Sequence, residues 1–346
     1  MPEKRFNVVL CGMGFMGVMH AQVYSRIPEA RIAAVVDMNS EGAAKTLREL
    51  GLEAPLFTDL KSALASVDVD VVDVCAPTDQ HEALVVEAAA AGKDVFCEKP
   101  LALDSTSAAR ILKAVNDAGV RFQVGQCIRF WPEYQALKDM IDSKKAGRLL
   151  SLSLQRRSGR TAHSAGDWMN RKERSGGAAL DLHVHDTDYV LSLFGTPRAV
   201  TSVGTRDAGG LNHIFTTYHY DSGIAVVAEG GWNYPAQWGF QMAFQAVFEN
   251  GTMEFDSGAN PALTGTFGTG AKNEIALKKD ARESSSVQIG NLSDLGGYYN
   301  ELQYFIDRLK SGEHPMIATG AQAAESLRVV EHEIQSADTG ATVMIS

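Results

Sequence analysis

Along residues 1 to about 126 the apolar positions come as short continuous runs separated by longer mixed stretches. Asn7-Val8-Val9-Leu10-Cys11, Arg31 to Val36, Leu56-Phe57, Val69 to Cys75, Asp94-Val95-Phe96-Cys97 and Arg121 to Gly125 read as six strands. Between them fall helical stretches: one running through Arg26, Ser40 to Leu50 with Ser40 as N-cap, one opening at Asp59, Glu82 to Ala91, and Ser105 to Ala118. Strands without internal alternation, each followed by a helix, predict a parallel sheet covered on both faces.

After Gly147 the period changes. Leu149 to Gln155, Ala199 to Thr205, His213 to Tyr220, Ile224 to Trp232, Phe240 to Glu249 and Thr252 to Phe255 are β-branched, aromatic or alternating. Turns at Asp221-Ser222-Gly223 and Asn250-Gly251 predict antiparallel hairpins. The sheet needs cover on one face, which leaves the other open to a second copy of the chain. One helix is expected over Gly177–Phe194, and two more close the chain, with Tyr299, Leu302, Ile306 and Leu309 on one face of the first. Residues 258–290, rich in Gly, Ser, Thr and Lys, read as an irregular excursion. The expected division is residues 1–126 and 127–346, with the last helices able to pack back on the first domain.

The first turn holds the first candidate chemistry. Gly12-Met13-Gly14-Phe15-Met16-Gly17 joins a strand to a helix, and the next strand ends in Asp37. Gly12 suits the tight turn, Gly14 lets a pyrophosphate approach the backbone, and Gly17 lets helix and strand pack closely. The unpaired N–H groups of the helix start supply phosphate donors. Asp37, about twenty residues beyond the last glycine, suits a ribose diol and repels a 2′-phosphate. Met38 and Asn39 offer no cation to offset that repulsion, so NAD is expected over NADP. Ligands of parallel sheets lie beyond the carboxyl ends of the strands, which directs Ala76-Pro77-Thr78 with His81, and Glu98-Lys99-Pro100, toward the same dinucleotide.

Composition narrows the class. With 346 residues, 45% hydrophobic, the chain can bury a large core without disulfides. Its net charge of −10 argues against nucleic acid or an anionic membrane surface as partner. No run reads as a signal peptide or membrane span, and four scattered cysteines fit a reducing compartment, so a cytoplasmic location is expected.

A second cluster runs from Ser175 to Asp188 and contains Asp181, His183, His185, Asp186 and Asp188. On a helix Asp181 and His185 share a face, so the carboxylate can orient the imidazole and support its protonated form, as a general base for an alcohol requires. His183 lies about 200° around the helix from His185, and no metal-ligand spacing is present, so no metal is expected.

These motifs together resemble the Gfo/Idh/MocA family of dinucleotide-dependent oxidoreductases: the glycine loop, Pro77-Thr78 with His81, Glu98-Lys99-Pro100, and Gly176-Gly177 leading to Asp181-x-x-x-His185. The resemblance implies an α/β Rossmann domain followed by an α+β domain with a large, mostly antiparallel, open-faced sheet. It implies Lys99 and His185 as the catalytic pair with Asp181 assisting. Gln126 and Tyr298 or Tyr299 fall at positions near the cofactor. Arg129, Trp131, His163, Trp168 and His183 fall at or near substrate-lining positions. A homodimer or homotetramer through the open sheet face is implied as well. The expected activity is NAD-dependent oxidation of a secondary alcohol of a sugar, inositol or related polyol, or the reverse. The alternative is a dinucleotide-binding sensor that lost catalysis, against which the intact Lys99, Asp181 and His185 argue.

Overall fold

A computed structural model describes residues 5–160, 164–277, 284–289 and 292–345. The chain divides into two compact units, Met1–Cys127 with Asp280–Ala324, and Ile128–Lys279 with Glu325–Ser346.

The first unit is built on β1 (Phe6–Cys11), β2 (Ala30–Val36), β3 (Leu56–Phe57), β4 (Val71–Val74), β5 (Asp94–Glu98) and β6 (Phe122–Gly125). They pair in the order β3-β2-β1-β4-β5-β6, all parallel. The helices are α1 (Phe15–Tyr24), α2 (Ser40–Glu49), α3 (Leu60–Ser66), α4 (His81–Ala90) and α5 (Ser105–Ala118). Strand order reverses between β1 and β4, the switch point where such sheets open a ligand crevice. All of β1 and β4 is buried, which explains their unbroken apolar runs and makes Asp73, wholly buried among valines, the exception.

Helix starts follow local chemistry. Asp59 and Asp104 cap α3 and α5 by accepting the N–H of Ser62 and Ser107 at 2.8 and 2.7 Å. At α2 the cap is Asn39, not the expected Ser40, because the Asn39 side-chain Oδ1 accepts the Gly42 N–H at 3.0 Å. A helix from the chain's far end, Gly296–Ser311, belongs to this unit. Its Tyr299, Leu302, Phe305, Ile306 and Leu309 pack with Phe6, Val8, Met19, Val23 and Phe96. At about 2 kcal/mol per buried side chain, those five contribute about 10 kcal/mol as an upper estimate, enough to hold a helix whose other face is polar.

The second unit contains α6 (Pro132–Ser143), β7 (Leu149–Gly159), α7 (Lys172–Ser175), α8 (Ala178–Asp181), α9 (Val184–Phe194), β8 (Ala199–Asp207), β9 (Gly210–His219), β10 (Ala225–Tyr234), β11 (Phe240–Phe248), β12 (Gly251–Asp256), β13 (Leu263–Phe267) and β14 (Asn273–Glu274). The sheet order is β14-β13-β12-β11-β7-β10-β9-β8, with Val343–Met344 at the β8 edge. Neighbours are antiparallel except β7 and β10, which the long crossover between them makes parallel. Leu152, Leu154, Ile214, Tyr218, Val226, Ala228, Phe244 and Ala246 are buried, while the alternate positions Ser153, Gln155, Phe215, Thr217, Val227 and Gln245 are exposed or half-buried.

Two expectations change. The stretch 258–290 is not wholly irregular: β13 and β14 extend the sheet edge, and Ser284–Ile289 pairs with Leu292–Asp294 as a hairpin. Leu263-Thr264-Gly265-Thr266-Phe267 carries too few large apolar residues to stand out, yet an edge strand needs only one pairing partner. The helix expected over 177–194 is two, α8 and α9, because His183 N–H bonds back five residues to the Ala178 carbonyl at 2.9 Å and interrupts the four-residue ladder.

Candidate active site

The glycine loop has the geometry its residues suggest. Gly12 sits at φ 96°, and a Cβ there would lie 2.7 Å from the Cys75 carbonyl oxygen. At Gly17 a Cβ would lie 2.0 Å from the Gly12 oxygen, so the turn closes on the helix only without one. A Cβ at Gly14 would meet nothing within 4 Å. The loop is open at Gly14, where a phosphate needs access, and closed at Gly12 and Gly17, where the fold needs contact. Asp37 follows β2: one oxygen accepts the Met13 N–H at 2.7 Å and the other the Asn39 N–H at 2.7 Å. The carboxylate is thereby fixed beside the loop with lone pairs remaining for a diol. Phe15 and Met38 are 54% and 80% exposed, and Met16 is half-buried in the first turn of α1.

The carboxyl ends of β1, β4, β5 and β6 lie in register at one edge of this sheet. Ala76 and Pro77 follow β4, Lys99 and Pro100 follow β5 through a cis peptide, and Gln126 follows β6. Thr78 is buried in the single turn before α4. His81 is buried with Nδ1 2.9 Å from the Pro100 carbonyl and Nε2 2.9 Å from that of Ala76. Burial lowers its pKa, while the contacts to both carbonyls join the loops after β4 and β5. The Gln126 side-chain amide is buried, and neither of its polar atoms has a hydrogen-bond partner among the described residues. Tyr299 belongs to the core, its hydroxyl donating to Gln303 at 3.1 Å, whereas Tyr298 is partly buried beside it.

Lys99 is half-buried, and Glu98 before it turns inward. One Glu98 oxygen lies 3.1 Å from His20 Nε2, and the other accepts the Lys99 N–H at 3.1 Å. Two sets of ligand-type atoms lie within 4.8 Å of one another among the described residues, His20 with Asp73 and Cys75, and His20 with Glu98 and Glu301. Neither includes Asp181 or His185.

In the second unit Gly176 and Gly177, at φ 75° and 80°, turn the chain from α7 into α8. A Cβ on Gly176 would lie 2.4 Å from Leu180 Cδ2, and Asn212 Oδ1 accepts the Ala178 N–H at 3.3 Å and the Trp232 indole N–H at 2.9 Å. The acids and histidines that follow sort by burial. Asp186 pairs with Arg156 at 2.8 Å, and Asp188 with Arg129 at 2.6 and 2.8 Å. His183 lies 3.2 Å from Glu333, whose carboxylate also accepts the Thr187 hydroxyl. His183, Asp186 and Asp188 are wholly buried, whereas Asp181 and His185 keep 6% and 7% of their surface.

Family comparison accounts for most of these features at once. Residues 6–126 match the model of the oxidoreductase family with an NAD-binding Rossmann fold, and residues 134–254 match the Gfo/Idh/MocA C-terminal domain. The chain is 31% identical over 258 residues to an inositol 2-dehydrogenase of Corynebacterium glutamicum, covering 72% of this chain and 73% of that one. It belongs to the Gfo/Idh/MocA family. An inositol 2-dehydrogenase of Rhizobium meliloti is 32% identical over 194 residues, 56% of either protein's length. Levoglucosan dehydrogenase, solved in complex with NADH and levoglucosan, superposes with a TM-score of 0.84 at 22% identity, covering 99% of this chain and all of the other, and shares the fold.

The residues expected at the substrate have the following surroundings. His183 packs in the interior, where a Cβ on Gly230 would lie 2.7 Å from its ring. The Arg129 guanidinium is held by Asp188, to which Ser326 also donates at 2.8 Å, and Trp131 is buried at the start of α6. Trp168 is half-buried in the turn Ala165–Asn170, and His163 lies outside the described residues. Sequence reasoning missed His20 and Asp73 and the pairing partners Arg156 and Glu333. Asp73 had a signal, a carboxylate inside an otherwise apolar strand; the others had none readable before the chain was folded.

Proposed function

We propose that the protein is an NAD-dependent dehydrogenase acting on a secondary alcohol of a sugar, inositol or related polyol, or reducing the corresponding ketone. The observation that carries this reading is the burial pattern of residues 181–188: His183, Asp186 and Asp188 are wholly buried against Glu333, Arg156 and Arg129, whereas Asp181 and His185 keep 6% and 7% of their surface. The names of the related proteins support a polyol or sugar as substrate class.

NAD would be held by the N–H groups around Gly14 and by Asp37, and when bound it supplies the hydride acceptor. Asp37 favours it over NADP, since its carboxylate, fixed by two backbone N–H groups, repels a 2′-phosphate. His185 takes the hydroxyl proton as general base, and Asp181 supports the resulting imidazolium. The Lys99 ammonium stabilises the negative charge developing on the substrate oxygen, an electrostatic contribution of about 3 kcal/mol, or about a hundredfold in kcat. On the open sheet face Val203 and Phe215 are exposed and pair across β8 and β9, and Val227 is exposed on β10 opposite Thr217, two residues along β9, which supports a homodimer or homotetramer through this surface.

The test is a panel of inositols, aldoses and other polyols with NAD or NADP, read at the NADH absorbance band, with Lys99→Ala and His185→Ala alongside. Turnover with NAD that falls by about a hundredfold in each variant is expected. Tight NAD binding with no turnover of any polyol would favour a sensor, and variants as active as wild type would remove Lys99 and His185 from the reaction.

A further inference from the structure

Beneath the edge that carries Lys99 lies a buried polar cluster that the proposed chemistry does not use. His20, on α1, has Nδ1 2.8 Å from Asp73 on β4 and Nε2 3.1 Å from Glu98 on β5. His20 and Asp73 are wholly buried and Glu98 is 4% exposed. Cys75 Sγ lies 3.1 Å from the same Nδ1. The Phe96 ring meets the imidazole edge-on at 5.5 Å, and Phe305 packs behind it. Glu301, from the helix Gly296–Ser311, brings a fully buried carboxyl group within 4.8 Å of the His20 and Glu98 atoms, and neither of its oxygens has a hydrogen-bond partner among the described residues.

We propose that His20 is a positioning residue for Lys99: clamped between Asp73 and Glu98, it fixes the Glu98 carboxylate, which in turn holds the Lys99 main chain. This rests on the reading that Lys99 serves the reaction. A neutral imidazole has one N–H and would present a lone pair to the second carboxylate; an imidazolium donates to both. Burial opposes that charge, but Asp73 and Cys75 outweigh it and hold the His20 pKa well above its ordinary value. Burial, then the Glu98 charge, raises the Glu301 pKa as well, keeping it protonated, so the cluster holds one cation against two carboxylates instead of three. Tyr24 also faces it, its hydroxyl kept neutral by burial and by Asp73.

The clamp acts on Lys99 through one contact. The Glu98 oxygen not bound to His20 accepts the Lys99 N–H at 3.1 Å. The neighbouring strand is shaped for this inward carboxylate, since a Cβ on Gly125 would lie 2.8 Å from Glu98 Oε1. In extended chain, successive side chains alternate, so anchoring Glu98 inward directs Lys99 away from the core. One imidazole thus ties α1, which begins in the glycine loop, to the residue before the proposed catalytic lysine.

Three measurements on the full chain test this. Nitrogen-15 spectra of histidine-labelled protein at pH 8 should show His20 with both ring nitrogens protonated. In His20→Gln, hydrogen exchange of residues 97–103 should quicken about tenfold while β1 and α5 keep their rates. With a turned-over polyol, kcat of His20→Gln should fall about tenfold or more while the NAD Kd stays within about threefold, and Glu98→Asp, which keeps the charge but shortens the reach, should fall likewise. A singly protonated ring, exchange that quickens equally in β1, or unchanged exchange and kcat in the variants overturns the proposal. If His20→Gln does not fold, the ring spectrum and Glu98→Asp decide. If the wild type turns over no polyol, the dehydrogenase reading fails alone, while the spectrum and exchange still decide whether the clamp holds the Lys99 segment.

Discussion

Substituting alanine at two glycines of the same loop should separate folding from binding. Gly14 has a φ of −76°, which alanine adopts without strain, and its Cβ would meet no protein atom within 4 Å. Gly14→Ala should therefore fold with wild-type stability or slightly better, since alanine lowers the entropy of the unfolded chain. Its methyl group would nevertheless stand in the space through which a pyrophosphate reaches the helix N–H groups. Losing one charge-assisted bond of about 2 kcal/mol there raises the NAD Kd by about thirtyfold. Gly17→Ala is the converse. Its Cβ would lie 2.0 Å from the Gly12 oxygen, and reaching even the 3.0 Å limit of real contacts requires a backbone shift of 3.0 − 2.0, at least 1.0 Å. That shift moves α1 against a core in which Met19, Ala21 and Val23 are at most 1% exposed, so the variant should lose about 1–3 kcal/mol of stability as well as affinity. Titration calorimetry with NAD and urea unfolding of both variants check this. A Gly14→Ala protein that binds NAD with wild-type Kd would refute the placement of the pyrophosphate at this loop.

Three further outcomes follow from pairs and faces already described. Arg156→Ala strands the fully buried Asp186 and should cost about 3–5 kcal/mol in urea unfolding, with Arg156→Met combined with Asp186→Leu recovering most of it; a loss under about 1 kcal/mol would contradict the buried pair. Phe215→Asp, on the open sheet face, should shift the light-scattering mass toward the monomer while leaving the unfolding midpoint of the unit intact, and an unchanged mass would move the interface elsewhere. The raised pKa values of His20 and Glu301 both mean that the native state holds protons the unfolded chain releases, so stability is full below the ordinary values and declines as pH rises toward the folded ones. His81, whose pKa burial lowers, acts on the acid side, costing stability as pH falls below its ordinary value. Glu301→Gln, nearly isosteric and uncharged, should flatten the alkaline decline and raise Tm at pH 8 more than at pH 5; the reverse order would show Glu301 ionised in the native state.

How much of this was legible before folding depends on the range of the interactions involved. The glycine loop could be read because its causes are local: a turn, a helix start and a strand end within one βαβ unit, each residue excluded or required by backbone geometry a few positions away. The six parallel strands and the antiparallel sheet followed from period in the same way. His183 and His185 mark the limit. They stand two residues apart, carry the same side chain, and no local rule separates them, yet one is sealed in the interior and the other keeps accessible surface. What distinguishes them is Glu333, from the last helix, and the missing Cβ of Gly230, both brought up only by the fold. Arg129, expected at the substrate, is claimed by Asp188 in the same manner. Which residues of a motif the fold seals away is therefore set by partners distant in the sequence, as Glu333, Arg156 and Arg129 do for His183, Asp186 and Asp188. In the segment from Asp181 to Asp188 that difference in burial, more than the spacing of the motif, is what points to Asp181 and His185.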